Sequence, residues 1–207
     1  LWHSPAMEIA GEQALAMAGI SINSLAHLDL YSCFPASLNF TRQALGISDN
    51  DTRPLTVTGG LPYFGGPGNN YTTHAVVAMV KRLRERRGDY GLVSGVGMHL
   101  THHVMGIYSS EAPKQIPVPP DYTKAKNYVA SIGQKIIENE VNGKGRIVAY
   151  SIIYGKDKNT AYAICDIDGG KRCYAICDNP ETVSKMDKEE WVGKTVQIRS
   201  ENKVNKF

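Results

Sequence analysis

The chain has 207 residues, 42% of them hydrophobic and 21% charged, with a formal net charge of +3. That length buries one large core or two smaller ones, and the composition is that of a folded domain, neither disordered nor fibrous. So small a positive charge, with no basic run interleaved with aromatics, argues against a nucleic-acid partner, and the absence of about twenty consecutive apolar residues argues against a membrane span.

Helix and strand signals alternate as far as Glu111. Ser4-Pro5 is a helix start, a capping side chain followed by proline in the first turn. In "AMEIAGEQALAMAG" residues Met7, Ala10, Ala14 and Met17 form a face of small residues and methionines that can lie close on a sheet, and Gly19 ends the helix. "LAHLDLYSC" reads as a strand and "PASLNFTRQALG" as a second helix closed by Gly46. The acidic turn "ISDNDTRP" leads into "TVTGGLPYFGGPGNNYTTHAV", where glycine, proline and asparagine run directly into a helix with the basic tail "KRLRERRG". Unpaired N–H groups at a helix start favour an anion, so this stretch reads either as a ligand floor or as a long connection. Asn69 and Asn70 are placed to cap the helix. Its basic tail complements the helix dipole as a solvated face. "YGLVSGVG" is a continuous apolar strand buried on both sides, and "HVMGIYSS" its partner, joined through "MHLTHH". The order predicts an α/β layer, a mixed sheet covered by helices.

From "EAPKQIPVPPDY" the composition changes. The prolines mark a linker over residues 113–122, separating a first domain, residues 1–112, from a β-rich one, residues 123–207. "KNYVASIGQKIIENEV" is a helix signal, followed by period-two segments "GRIVAYSIIYG", "NTAYAICDIDGGKRCYAICD" and "GKTVQIRSE". The middle segment is a hairpin turning at Asp168-Gly169-Gly170, with "YAICD" on both arms. This region is expected to be a small β-barrel of the oligonucleotide-binding type that supplies contacts, not chemistry.

The four cysteines, Cys33, Cys165, Cys173 and Cys177, fit no zinc spacing, so no metal site is expected. Cys173 and Cys177 share a strand face as small core residues. Reduced thiols, with no secretory or lipidation signal and no peroxisomal tripeptide, predict a cytoplasmic protein. Leu1 in place of an initiator methionine is read as the start of a segment of a longer protein.

The first region, "SPAMEIAGEQALAMAGISINSLAHLDLYSCFPASLNFTRQALGI" with "VTGGLPYFGGPGNNYTTHAV" and "GLVSGVG", resembles the C-terminal half of a thiolase. It is most similar to the sterol-carrier-type thiolases and to thiolase-like proteins labelled acetyl-CoA acetyltransferases, some of which carry an additional C-terminal domain. The resemblance implies an acyltransferase of lipid metabolism with a coenzyme A thioester as substrate and no separate cofactor. It further implies that the nucleophilic cysteine lies in an N-terminal half outside this chain. That half or a separate subunit is the expected partner, in an oligomer.

Carried over residue by residue, the family pattern is broken at its chemistry. Where relatives have Asn-Glu-Ala-Phe or His-Asp-Cys-Phe this chain has "YSCF": Tyr31 replaces the asparagine or histidine and Ser32 the acid, while Cys33 and Phe34 match. The Gly-His-Pro position is Gly65-Gly66-Pro67, so the activating histidine is Gly66. The Cys-x-Gly position is Gly95-Val96-Gly97, so the proton-shuttling cysteine is Gly95. Claisen chemistry needs a base near neutral pKa and donors for the enolate oxygen; glycines offer N–H groups and no base. Replacement catalytic residues are sought in His103 (the "THHVMGIY" stretch matches a Thr-x-His and Gly-x-Tyr pattern of thiolase-like proteins), His74, Tyr31, Tyr63 and Cys33. His74 and Cys33 read rather as packed side chains, with catalysis as the alternative. The substrate floor is expected at Gly59, Gly60, Gly65, Gly66, Gly95 and Gly97. Three functions compete: an acyl-CoA enzyme with displaced groups, a CoA-thioester retro-aldolase working through tyrosine, and a non-catalytic acyl-CoA-binding scaffold.

Overall fold

A computed structural model of the chain describes residues 3–113, 116–119 and 121–207, which fall into two compact units, Leu1–Ile132 and Gly133–Phe207. In the first unit, α1 (Pro5–Ala18) starts at the expected proline and is closed by Gly19 at φ 66°, with Gly19 N–H on the Ala16 carbonyl and Ile20 N–H on that of Leu15. Its fully buried residues are Met7 and Gly11, whereas Ala10, Ala14 and Met17 are half-buried. A Cβ on Gly11 would stand 2.5 Å from Leu45 Cδ2, so the glycine makes room for Leu45 beside α1.

The strand β1 (Leu25–Asp29) is shorter than the expected "LAHLDLYSC" because the chain leaves the ladder after Asp29. Leu30 N–H turns to the Leu55 carbonyl and Tyr31 N–H to Ser94 Oγ. Helices α2 (Pro35–Ala44), α3 (Leu61–Phe64) and α4 (Tyr71–Glu85) follow, then strands β2 (Tyr90–Gly97) and β3 (His102–Ser109). The sheet order is β1-β2-β3, with β1 parallel and β3 antiparallel to β2. Its two faces carry separate cores: Leu25, Leu28, Leu30, Leu92, Met105 and Ile107 pack with Leu15, Leu38 and Leu45 of the α1–α2 side. Val93 and Tyr108 pack with Tyr71, Ala75, Met79 and Leu83 of α4. Each fully buried Leu or Met contributes about 1.5–3 kcal/mol. The mixed sheet with helices on both faces is the arrangement the element order implied.

A last helix of this unit, α5 (Tyr122–Ser131), is capped by the Asp121 carboxylate, which accepts from the Thr123 and Lys124 N–H groups. The sequence reading placed a helix at residues 126–141 in the β-rich domain. Instead the helix starts earlier and stops before Gly133, at φ 75°. Tyr128 on it donates to Glu8 of α1 at 2.8 Å, so it packs with the first unit. Ile136 and Glu138 are drawn into main-chain bonds with Arg172. Lys114, Gln115 and Pro120 of the expected linker lie outside the described residues.

The second unit consists of β4 (Gly143–Tyr154), β5 (Asn159–Asp166), β6 (Arg172–Cys177), α6 (Pro180–Lys188), β7 (Thr195–Glu201) and β8 (Val204–Lys206). Its strands close in the order β4-β5-β6-β8-β7, β6 and β8 being parallel. The turn at Asp168–Gly170 joins β5 to β6, and the repeated pentapeptides pair with Ala163 opposite Ala175. Alternation sends Ala163, Cys165, Ala175 and Cys177 inward, and Tyr162 and Tyr174 outward. The helix α6 and strand β8 were not anticipated. Both are short, and β8 is tied in by Asn205, which accepts from Val141 N–H and donates to the Tyr174 carbonyl.

Among the described residues no helix is long and apolar enough to cross a membrane.

Candidate functional site

Between β1 and α4 the chain runs through Val57-Thr58-Gly59-Gly60. Gly59 and Gly60 have φ 91° and 96°, a backbone that a side-chain-bearing residue adopts only with strain. A fully buried carboxylate holds this turn. Asp29 Oδ2 accepts from Val57 N–H and Thr58 N–H at 3.0 Å and from Thr58 Oγ1 at 2.9 Å, and Oδ1 accepts from the Tyr71 hydroxyl at 3.0 Å. The Thr58 and Tyr71 hydroxyl oxygens are 2.7 Å apart, and Thr58 Oγ1 accepts from Gly60 N–H. Burial, with the Asp29 carboxylate adding to it, pushes the Tyr71 phenol up to about 12. Sequence reasoning missed Asp29, Thr58 and Tyr71. The available signal was a lone acid inside the apolar run "LAHLDL", since an unpaired charge is seldom buried.

Beside this network lies the "YSCF" segment. Tyr31 is pinned at both ends of its backbone: its N–H donates to Ser94 Oγ and its carbonyl accepts from Ser37 Oγ, each at 2.9 Å. Its ring meets that of Tyr71 edge-on at 5.6 Å. Ser32 Oγ accepts from Leu61 N–H at 3.1 Å and lies 3.1 Å from where a Cβ on Gly60 would be. Cys33 is half-buried and free, while Tyr63 is 90% exposed. The N–H groups of residues 57, 58, 60 and 61 are therefore all taken by Asp29, Thr58 and Ser32, so these four are not donors for an incoming oxyanion.

At the two positions where the resemblance puts lost catalytic side chains, an added Cβ would crowd a neighbouring side chain. A Cβ on Gly66 would stand 2.9 Å from Leu61 Cδ2, and one on Gly95 would stand 2.7 Å from Val104 Cγ1 and 3.4 Å from Thr72 Oγ1 of α4. A Cβ on Gly97 would meet His102 Cβ at 3.2 Å, a tight approach. Contacts thus link Tyr31 to Ser94, Ser32 to Leu61 and Gly60, Leu61 to Gly66, and Gly95 to Thr72 in the first turn of α4. Gly59 is exposed, as are Gly65 and Gly66, while Gly60 and Gly95 are buried.

The histidines separate. His74 Nε2 lies 3.4 Å from Asn70 Nδ2 and its ring meets Phe64 edge-on at 5.6 Å. Asn70 therefore spends its amide on His74, and no side chain caps α4, contrary to expectation. His74 Nδ1 is buried and has no hydrogen-bond partner among the described residues. His74 also lines a cavity of about 520 Å³ with Val57, Phe64, Val77, Lys81 and Arg82.

His103 lies elsewhere. It pairs with Val96, one position out of phase with the Gly95–Val104 pair, so it projects from the opposite face of the sheet. Its Nε2 lies 3.3 Å from Ser4 Oγ, which is why Ser4 makes no capping bond to α1. Burial pushes its pKa below the usual imidazole value. Strand alternation thus sets His103 on the face opposite Gly95, a parity that the "THHVMGIY" match could not reveal. Among the described residues no cluster of three or more His, Cys, Asp or Glu is arranged to hold a metal.

The first unit is thus a mixed sheet between helices, with a glycine turn entering the helix on one face. Of known proteins, no family model and no curated sequence matches this chain. Among solved structures, a monomeric SCP2-thiolase-like protein type 1 from Mycobacterium smegmatis matches with a TM-score of 0.90 and 31% identity, over 99% of this chain and 45% of its own. The chain therefore spans slightly under half the length of that protein, and its fold is similar to the part it covers.

Proposed function

We propose that the chain is the C-terminal half of a thiolase-like acyl-CoA protein of the SCP2-thiolase-like family, an acyltransferase by family in which the Claisen route is closed. One observation carries the reading. A Cβ at Gly66 would crowd Leu61 and one at Gly95 would crowd Val104, which supports a pocket that no longer takes a histidine and a cysteine there unless those neighbours shift. The glycine turn at Gly59-Gly60, with Gly65, Gly66, Gly95 and Gly97, serves as a floor for the thioester. An N-terminal half or a separate subunit completes the site and the oligomer. The second unit fits a barrel of the oligonucleotide-binding type: strands in the order β4-β5-β6-β8-β7 with a helix between β6 and β7 support that class. It supplies contacts to a partner and no chemistry. Calorimetry and thiolysis assays on the chain joined to its complementary half test the reading. Acetyl-CoA gives a binding heat, and acetoacetyl-CoA with free CoA gives no turnover. Sustained thiolysis would refute it.

A second reading, retro-aldol cleavage of a β-hydroxyacyl-CoA, draws on Tyr31. Its backbone is fixed at both ends, and the resemblance puts Tyr31 at the position where relatives have asparagine or histidine. A retro-aldol step takes a proton from a hydroxyl, breaks the bond between the α and β carbons, and returns a proton to the α carbon, so a single phenol–phenolate pair can serve. Release of a ketone or aldehyde that disappears in Tyr31→Phe would favour this reading over a binding scaffold.

A further inference from the structure

The buried carboxylate beneath the glycine turn has no task in either reaction. We infer that Asp29 is a positioning residue: an internal anion that sets, in one geometry, both the Gly59-Gly60 turn and the first residue of α4. The inference rests on reading that turn as the ligand floor. Asp29 sits at the end of β1, is fully buried, and gathers four donors, all of them neutral: Val57 N–H, Thr58 N–H, the Thr58 hydroxyl and the Tyr71 hydroxyl. Hydrogen bonds to a charged acceptor are the stronger kind, and a buried charge stripped of them is costly, so each donor is held tightly. Through Thr58 the hold passes to Gly60 N–H, and Gly60 abuts Ser32, which takes Leu61 N–H. Through Tyr71 it reaches α4 and, by the edge-on ring contact, Tyr31. Four donors converging on one carboxylate make a ready-built anion cradle, and the protein fills it with its own side chain. The turn is thereby arranged before any ligand arrives, which reduces the ordering cost of binding.

Amide hydrogen exchange on Asp29→Ala, with and without formate, tests this. Formate is small enough to take the vacated carboxylate's place. The expected result is exchange at residues 57–61 faster by about tenfold or more, unchanged exchange inside β2 and β3, and recovery with formate but not with chloride. Faster exchange throughout the first unit, unchanged exchange at residues 57–61, or no recovery with formate would overturn the inference. Tyr71→Phe, which removes one donor and keeps the carboxylate, and Thr58→Val, which removes one donor together with the acceptor of Gly60 N–H, are the variants to use if Asp29→Ala does not fold. Each should loosen residues 57–61 less than a double variant does, and an unmoved turn in both would overturn the inference. Acetyl-CoA titrated into the chain joined to its complementary half gives the second readout. Affinity falls by about tenfold in Asp29→Ala and returns with formate. Equal affinity despite a loosened turn would overturn the positioning role. Failure of the unmodified protein to bind acetyl-CoA would instead remove the proposed function and leave the exchange result to decide what Asp29 holds.

Discussion

Putting the cysteine side chain back at position 95 should harm the protein unless Val104 is trimmed at the same time. In Gly95→Cys the new Cβ arrives 2.7 Å from Val104 Cγ1 and 3.4 Å from Thr72 Oγ1. Forcing one side chain into a filled space costs about 1–3 kcal/mol, and a strand glycine replaced by a residue with a Cβ returns roughly 0.5–1 kcal/mol. The net cost is then about 0–2.5 kcal/mol, a fall of up to roughly 10 °C in the melting temperature of the first unit. Val104 is 59% exposed, so Val104→Ala alone loses little burial. The double variant Gly95→Cys/Val104→Ala should come back to within about 0.5 kcal/mol of the parent, a non-additivity expected only of side chains in contact. Differential scanning calorimetry on the four proteins of this cycle measures it. A double variant no more stable than Gly95→Cys alone would show that Val104 does not crowd the cysteine's place, and the repacking argument would go with it.

Other outcomes follow from the same packing. Of the four thiols only Cys33 should react with a thiol reagent in the native chain, because Cys165, Cys173 and Cys177 are buried and burial pushes Cys165 up to about 12 and raises Cys173; mass mapping of labelled peptides checks this, and labelling of Cys165 in the folded state would contradict it. His103 is held neutral by burial, with its folded pKa below the unfolded one. Its contribution to stability is therefore full above the unfolded pKa and is lost as pH falls through the folded value, so His103→Gln should flatten the acid side of the stability curve below about pH 6.5. Gly145→Ala should destabilise the barrel by about 1–3 kcal/mol, since its Cβ would meet Ile198 Cδ1 at 2.4 Å and Cys165 Cβ at 3.0 Å; denaturant melts of the second unit report it.

Much of this fold is legible in local chemistry. Pro5 and Gly19 bound α1 as their backbone preferences require. The alternating "YAICD" arms and the Asp168-Gly169-Gly170 turn define a hairpin before any packing is known. The break in the family's chemistry at Gly66 and Gly95 is equally a property of the sequence. Tertiary structure alone decided which neighbours crowd those two positions, because Leu61 and Val104 reach them from segments whose direction no local pattern encodes. It also decided which face His103 takes, because the strand's phase depends on its register with β2. Likewise, α5 lies with the first unit because Tyr128 finds Glu8 far along the chain. Asp29 is the sharpest instance: in the sequence it is one acid among apolar neighbours, and only folding brings Val57, Thr58 and Tyr71 around it as donors. Propensity and periodicity act over a few residues, whereas filling a void or satisfying a buried charge is settled by atoms that meet only in the folded chain.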